Sequence, residues 1–348
     1  MKLNRFLAVL AVSGLIAAAC SGAASTTAPA VAPSTAAPSA AAPSTAAPST
    51  ATNATASSSA AGKTVCFTEL LSAHAYDTPM NKGVLDKLNA AGVKVNVTSA
   101  ENDLATQVQQ FNDCITRKVD GIIIQPADPK AFIASVKKAH DAGIPVLVVN
   151  APMDASADAY LAAVTGPDNK FVGVQNAQGL AAAMGATGNI IVLNGFAGYG
   201  PEIETADAFT STLASVAPNI KILASINADY DQQKALVASR DLITKYGDQI
   251  KGVMAENDEM AAGFVQAWKE AGKTTQIPVV CHNGNQWAFA AIKDGTIVQT
   301  IIQSPIVDGQ LAGSTMVDIL SGKTVPFNQY ISMPVITKAN VDQYQPAY

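Results

Sequence analysis

The chain has 348 residues, 49% hydrophobic and 14% charged, with 27 acidic against 22 basic residues. That is enough chain for one large or two medium domains, and too apolar for a disordered polymer. The basic residues form no cluster, so no nucleic-acid partner is expected.

In chain order, Lys2 and Arg5 precede an uncharged 14-residue run, 6–19, that ends in Ala17-Ala18-Ala19-Cys20. Basic, then apolar, then small residues is the order of a secretory signal peptide, here 1–19. The run is too short to cross a hydrocarbon core of roughly 30 Å as a helix. A Cys directly after three small residues resembles the lipobox of bacterial lipoproteins. That resemblance implies lipid attachment at Cys20, which would become the mature N-terminus. Ala17 stands where Leu is most common, and an ordinary signal peptide followed by an unmodified Cys is the alternative. Residues 21–62 are almost entirely Ala, Ser, Thr and Pro, with a recurring Ala-Pro-Ser-Thr unit. Such a segment cannot bury enough surface to offset the entropy of ordering it. Forty-two residues of polyproline II chain would reach about 130 Å, a tether from an anchor through a wall layer. A glycosylated stalk is the compatible alternative.

The folded body is expected over residues 63–348. Removing Lys2 and Arg5 leaves it 20 basic against 27 acidic residues, a net charge of −7. Strands are expected at 63–68, 93–98, 119–124 and 144–149, each apolar on successive residues as in parallel strands buried on both faces. Helical spacing of apolar residues marks 80–91, 104–117 and 132–142. Gly92 and Gly143 follow two of these helices as stop signals. The alternation then restarts. A strand at 160–164 leads to a helix over 168–184. Further strands are expected at 189–194, 220–226, 252–255 and 278–282, and helices at 209–216, 232–246, 258–271 and 286–293. The fold class is therefore α/β, with two doubly wound parallel-sheet lobes. No other stretch is long and apolar enough to span a membrane. Cys66, Cys114 and Cys281 could form one disulfide and one buried thiol, or remain three buried thiols.

Open α/β sheets bind ligands at the carboxyl ends of their strands, and two facing lobes make a cleft that closes by a hinge. The residues at those ends are His74 and Tyr76 after the first strand, Gln125 after the third and Asn150 after the fourth. In the second half they are Asn194, Tyr230, Asn257, His282 and Asn283. Amides both donate and accept, and an aromatic face packs on the C–H side of a sugar ring. Taken one at a time, Asn and Asp after a strand are equally turn formers and helix caps.

The runs 120–128, 139–146, 255–263 and 290–295 are similar to those of type I periplasmic binding proteins, closest to the ribose-binding group. The stretch Asn257-Asp258-Glu259-Met260-Ala261 is the most specific. The resemblance covers 63–348 and implies a three-strand hinge, with one lobe from 63–166 and 304–331 and the other from 167–303 and 332–348. It implies delivery of a small neutral polar solute (sugar, polyol or similar) to an ABC permease, by an extracytoplasmic, lipid-anchored protein expected to be a monomer. It also implies ligand contacts at Asn257, Gln303 and Tyr230, with His74 and Tyr76 in the first loop. Asn150-Ala151 replaces the usual Asp-Arg, Asn283 replaces an Asp, and the Arg expected near 202–205 is absent. The charge-assisted grip on a ring sugar is therefore missing. A polyol, a deoxy sugar or a nucleoside-like compound would fit, and Glu69, Glu202 or Glu256 could instead meet a cation. Trp287 could stack on the ligand or pack on the surface.

No Gly-x-Ser-x-Gly elbow, Walker loop or His-Glu-x-x-His helix is present, so no catalytic residue is expected. Three dispersed His make no metal site, and no cofactor is expected. A sensory receptor presenting its ligand state to a membrane kinase or chemoreceptor would share every feature. A lac-repressor-type regulator would need a DNA-binding helix-turn-helix and no leader.

Overall fold

The computed structural model describes residues 59–348. The signal peptide at 1–19, Cys20 and the tether at 20–62, apart from its last few residues, lie outside them. Among the described residues no helix is long and apolar enough to cross a membrane.

The chain begins with β1 (Thr64–Glu69), α1 (Asp77–Ala90), β2 (Lys94–Ser99), α2 (Leu104–Thr116) and β3 (Gly121–Ile124). It continues through α3 (Ile133–Asp141), β4 (Val146–Val149) and β5 (Ala163–Gly166). The sequences Gly-Ile-Ile-Ile and Val-Leu-Val-Val of β3 and β4 are buried at every position, because helices cover both sheet faces. The strand β2 departs from that expectation. It is an edge strand, and its Lys94, Asn96 and Val97 are exposed. The strand expected at 160–164 is also displaced. A 3-10 turn occupies Ala155–Tyr160, capped by Asp154 on Ser156 N, and the strand starts at Ala163.

The second half runs α4 (Asn169–Met184), β6 (Thr187–Asn194), α5 (Gly200–Val216), β7 (Asn219–Asn227), α6 (Gln232–Tyr246) and β8 (Gly252–Ala255). Then come α7 (Asp258–Glu270), β9 (Val279–Val280), α8 (Gln286–Asp294), β10 (Thr300–Ile301), α9 (Pro305–Leu320), β11 (Asn328–Tyr330) and β12 (Val335–Ile336). Helix α5 starts nine residues before its apolar stretch, with Pro201 at its first turn, where a missing N–H costs nothing. Helix α9 does not stand among the helices expected from periodicity.

The first sheet has the order β2-β1-β3-β4-β5-β11, all pairs parallel. The second has the order β7-β6-β8-β9, and parallel bridges Val280–Gln299 and Asn283–Ile302 join it to the antiparallel pair β10-β12. Both lobes thus repeat one winding pattern. The chain passes between them three times: after β5, after β10 and after β11. Cys66 in β1 and Cys114 in α2 form a disulfide, and Cys281 is a buried thiol, which decides between the two alternatives left open by the sequence.

Glycines let the helix pairs approach at backbone distance. A Cβ on Gly309 of α9 would overlap the Met80 carbonyl of α1, and one on Gly83 of α1 would sit 2.6 Å from the Ile306 carbonyl oxygen. Gly173 plays the same part between α4 and α5, and Gly263 between α6 and α7. Overpacking of this kind costs about 1–3 kcal/mol, which outweighs the better helix propensity of Ala. Gly309→Ala is therefore expected to lower stability by about 1–3 kcal/mol in urea titrations. A midpoint unchanged from the wild type would mean that α1 and α9 part without cost.

Candidate functional site

The carboxyl ends of the two sheets face each other across a cleft lined by residues of both lobes. From the first lobe, the loop after β1 supplies His74, Tyr76 and Asp77, the end of β3 supplies Gln125 and the end of β4 supplies Asn150. Tyr76 hydroxyl donates to Asp308 Oδ2 at 3.1 Å, and Asn150 Nδ2 donates to the same oxygen at 3.0 Å. Asp308 lies in the first turn of α9 and is fully buried. His74 Nδ1 pairs with Asp77 Oδ2 at 2.9 Å.

From the second lobe come Phe196 after β6, Tyr199 at the start of α5 and Tyr230 after β7. The three rings stand nearly perpendicular to one another, with centroids 5.4 to 6.3 Å apart. Edge-to-face contact of this kind fixes ring positions. Gly195 is required here because a Cβ would overlap the Tyr230 ring. Glu256 and Asn257 follow β8, His282 and Asn283 follow β9, and Gln303 follows β10. Asn257 is a helix cap: its Oδ1 accepts from Met260 N at 2.8 Å while its Nδ2 donates to the Tyr230 carbonyl at 2.9 Å. Asn283 Nδ2 donates to Gln303 Oε1 at 2.8 Å. Asn150, Tyr230 and Asn283 have φ of 65°, 56° and 107°. Left-handed backbone in non-glycine residues is uncommon and concentrates at functional sites.

No Lys or Arg is among the residues lining the cleft, whereas Asp77, Glu256 and Glu259 are. Burial raises the Glu256 carboxyl well above its ordinary range, although Gly195 N donates to its Oε2 at 2.8 Å. Burial also pushes His282 down to about 3, so its ring is neutral at physiological pH. Burial lowers the His74 imidazole too, but the hydrogen bond and charge of Asp77 override it and leave the net shift upward. Five buried polar atoms of residues lining this cleft, from both lobes, have no hydrogen-bond partner: Asp77 Oδ1, Gln125 Oε1, Glu256 Oε1, Glu259 Oε2 and His282 Nδ1. Four of the five are oxygens. Unpaired buried polar atoms are costly, and a hydroxyl-bearing ligand, which both donates and accepts, would satisfy them.

A family model described as a periplasmic binding protein domain matches residues 70–324. The chain belongs to that family. Its members are non-enzymatic, extracytoplasmic solute-binding components that work with ABC permeases. A xylitol-binding protein of Mycolicibacterium smegmatis is 34% identical over 281 residues, 79% of each chain. A ribose import binding protein of Bacillus subtilis is 31% identical over 274 residues, 77% of this chain and 86% of that one. The solved structure of an ABC transporter solute-binding protein from Actinobacillus succinogenes with bound D-allose has a TM-score of 0.71. It is 29% identical and covers 81% of this chain and 99% of that one.

In this binding protein the expected residues His74, Tyr76, Asn150, Tyr230, Asn257, Asn283 and Gln303 all lie on one cleft wall or the other. Glu69, Glu202 and Trp287 do not line it; Trp287 packs instead on the second lobe's core. Sequence reasoning passed over Asp77, Glu259 and Tyr348. Asp308 escaped because α9 itself was unread. Gln125 and His282 carried a signal, since each stands at a strand end.

Burial raises Asp258 and Asp308 from 3.8 to about 7. An acid with a raised folded-state pKa contributes stability that is complete below its unfolded value and is lost as pH rises through the folded one. Ligand-free protein is therefore expected to melt several degrees higher at pH 5 than at pH 8. Asp308→Asn mimics the protonated acid and should reduce that difference; an unaltered pH profile would show that Asp308 does not titrate there.

Proposed function

We propose that the cleft takes one small, neutral, hydroxyl-rich solute, a polyol or sugar, and presents it to an ABC permease. The observation that carries this reading is the wall itself: residues with unpartnered buried oxygens line the cleft beside amides, neutral His282 and aromatic rings, with no Lys or Arg. Hydroxyls donate to those oxygens and accept from the amides of Asn257, Asn283 and Gln303. The same absence of Lys and Arg speaks against anionic solutes, since the one imidazole shifted toward its charged form, His74, is already paired with Asp77. The relatives named for xylitol and ribose agree with a hydroxyl-rich ligand.

Purified body should gain melting temperature with alditols or pentoses and not with acids. A rise with amines alone would replace the neutral ligand by a cation held by Asp77 and Glu259, the second reading that a wall with carboxylates and no Lys or Arg supports. Gln303→Ala and Asn283→Ala should each weaken calorimetric binding about tenfold, roughly 1.4 kcal/mol. Unchanged affinity in both would move the ligand elsewhere.

We further propose that the protein is monomeric and tethered through a lipid on Cys20. The order of the leader, the small residues before Cys20 and the uncharged Ala/Pro/Ser/Thr tether support the anchor. Cys20→Ser should release the protein from membranes into the soluble fraction; retention on membranes would refute the anchor. Partner capture from membranes separates transport from the sensory alternative, since a permease or a kinase would be recovered.

A further inference from the structure

Tyr199 is rooted in the second lobe, yet its hydroxyl is spent on the first. Gln125 Nε2 donates to it at 2.9 Å, and it donates to Asn150 Oδ1 at 3.1 Å. Asn150 uses its remaining amide group on Asp308. The strand-end amides of β3 and β4, which would be the first lobe's grip on a solute, are thus largely engaged by a side chain of the protein itself. Only Gln125 Oε1 is left unpartnered.

The phenol is also firmly held. Tyr199 is 5% exposed. Phe196 and Tyr230 meet it edge-on at 6.1 and 6.3 Å, and Leu70 and Ala151 of the first lobe close an apolar cluster with it. Beside it the two backbones nearly touch, since a Cβ on Gly200 would sit 2.6 Å from the Pro152 carbonyl oxygen. A wall built this way cannot retreat when a longer ligand enters, because both its ring and its neighbours are fixed.

We propose that Tyr199 is a specificity-determining residue that shuts one end of the cleft and so sets the length of the solute. The solute's terminal hydroxyl would end at Gln125 Oε1, and its other hydroxyls would lie toward Asn283 and Gln303. The inference rests on the polyol or sugar reading above. Specificity of this kind works by excluding the longer competitor as much as by holding the shorter one.

The test is calorimetric binding of straight-chain alditols of three to six carbons to the wild-type body and to Tyr199→Ala, Tyr199→Leu and Tyr199→Phe. The wild type should bind one of the shorter alditols best and lose affinity beyond it. Tyr199→Ala opens the end, and the ratio of six-carbon to short-chain affinity should rise about tenfold. Tyr199→Leu should move the ratio the same way by less, and serves if the Ala variant does not fold. Tyr199→Phe keeps the ring and should keep the wild-type ranking. If both truncations weaken every alditol equally, Tyr199 only packs the lobes together and the inference falls while the polyol reading stands. If the wild type binds no alditol or sugar and the truncations gain none, both fall.

Discussion

Asp308 is fully buried, and two residues of the first lobe's cleft wall, Tyr76 and Asn150, donate to one of its oxygens. Holding a carboxyl group out of water is expensive, and here Oδ2 is hydrogen-bonded twice while Oδ1 has no partner. Its place in the first turn of α9 adds the partial positive charge of a helix N-terminus. The loop after β1 and the end of β4 are thereby tied to a helix that the chain reaches only after building the second lobe. Asn150 in turn meets Tyr199, so the position of the opposite lobe's aromatic corner depends on the same carboxyl.

The second lobe repeats the device. Asp258 opens α7, is fully buried, and accepts from Asn285 N and from the Thr300 hydroxyl, both at 2.7 Å. It joins the loop after β9 to β10. Each lobe therefore uses a buried Asp at a helix start to hold strand ends that would otherwise be free polar loops. Burial keeps both groups near the middle of the pH scale, at about 7. The cleft's rigidity and its proton affinity thus have a common origin.

The aromatic corner and the unpaired polar atoms divide the labour within the cleft. Phe196, Tyr199 and Tyr230 supply shape, fixed by edge-to-face contact and by the missing side chain of Gly195. Asp77, Gln125 and Glu256 supply unmet hydrogen-bonding capacity. Asn257 stands between these roles: it is the helix cap that an Asn after a strand suggests, and it also lines the cleft. The two readings of such residues are compatible because a cap orients the same side chain that the cleft exposes.

Local patterning in the sequence was sufficient for the alternation of strands and helices, since parallel strands covered on both faces leave short apolar runs such as 121–124 and 146–149. It was sufficient as well for the strand-end residues, because a doubly wound sheet brings its carboxyl ends to one side. It located β2 but not its exposure at the sheet edge, and it failed where glycines and polar residues blur the pattern, at the first turns of α5 and along α9. The Cys66–Cys114 pairing and the meeting of Tyr76 and Asn150 at Asp308, 232 and 158 residues away, belong to the tertiary structure alone. So does the reach of Tyr199 from one lobe into the other. Contacts across three interlobe crossings have no period along the chain, and only the packed lobes bring them within hydrogen-bonding distance.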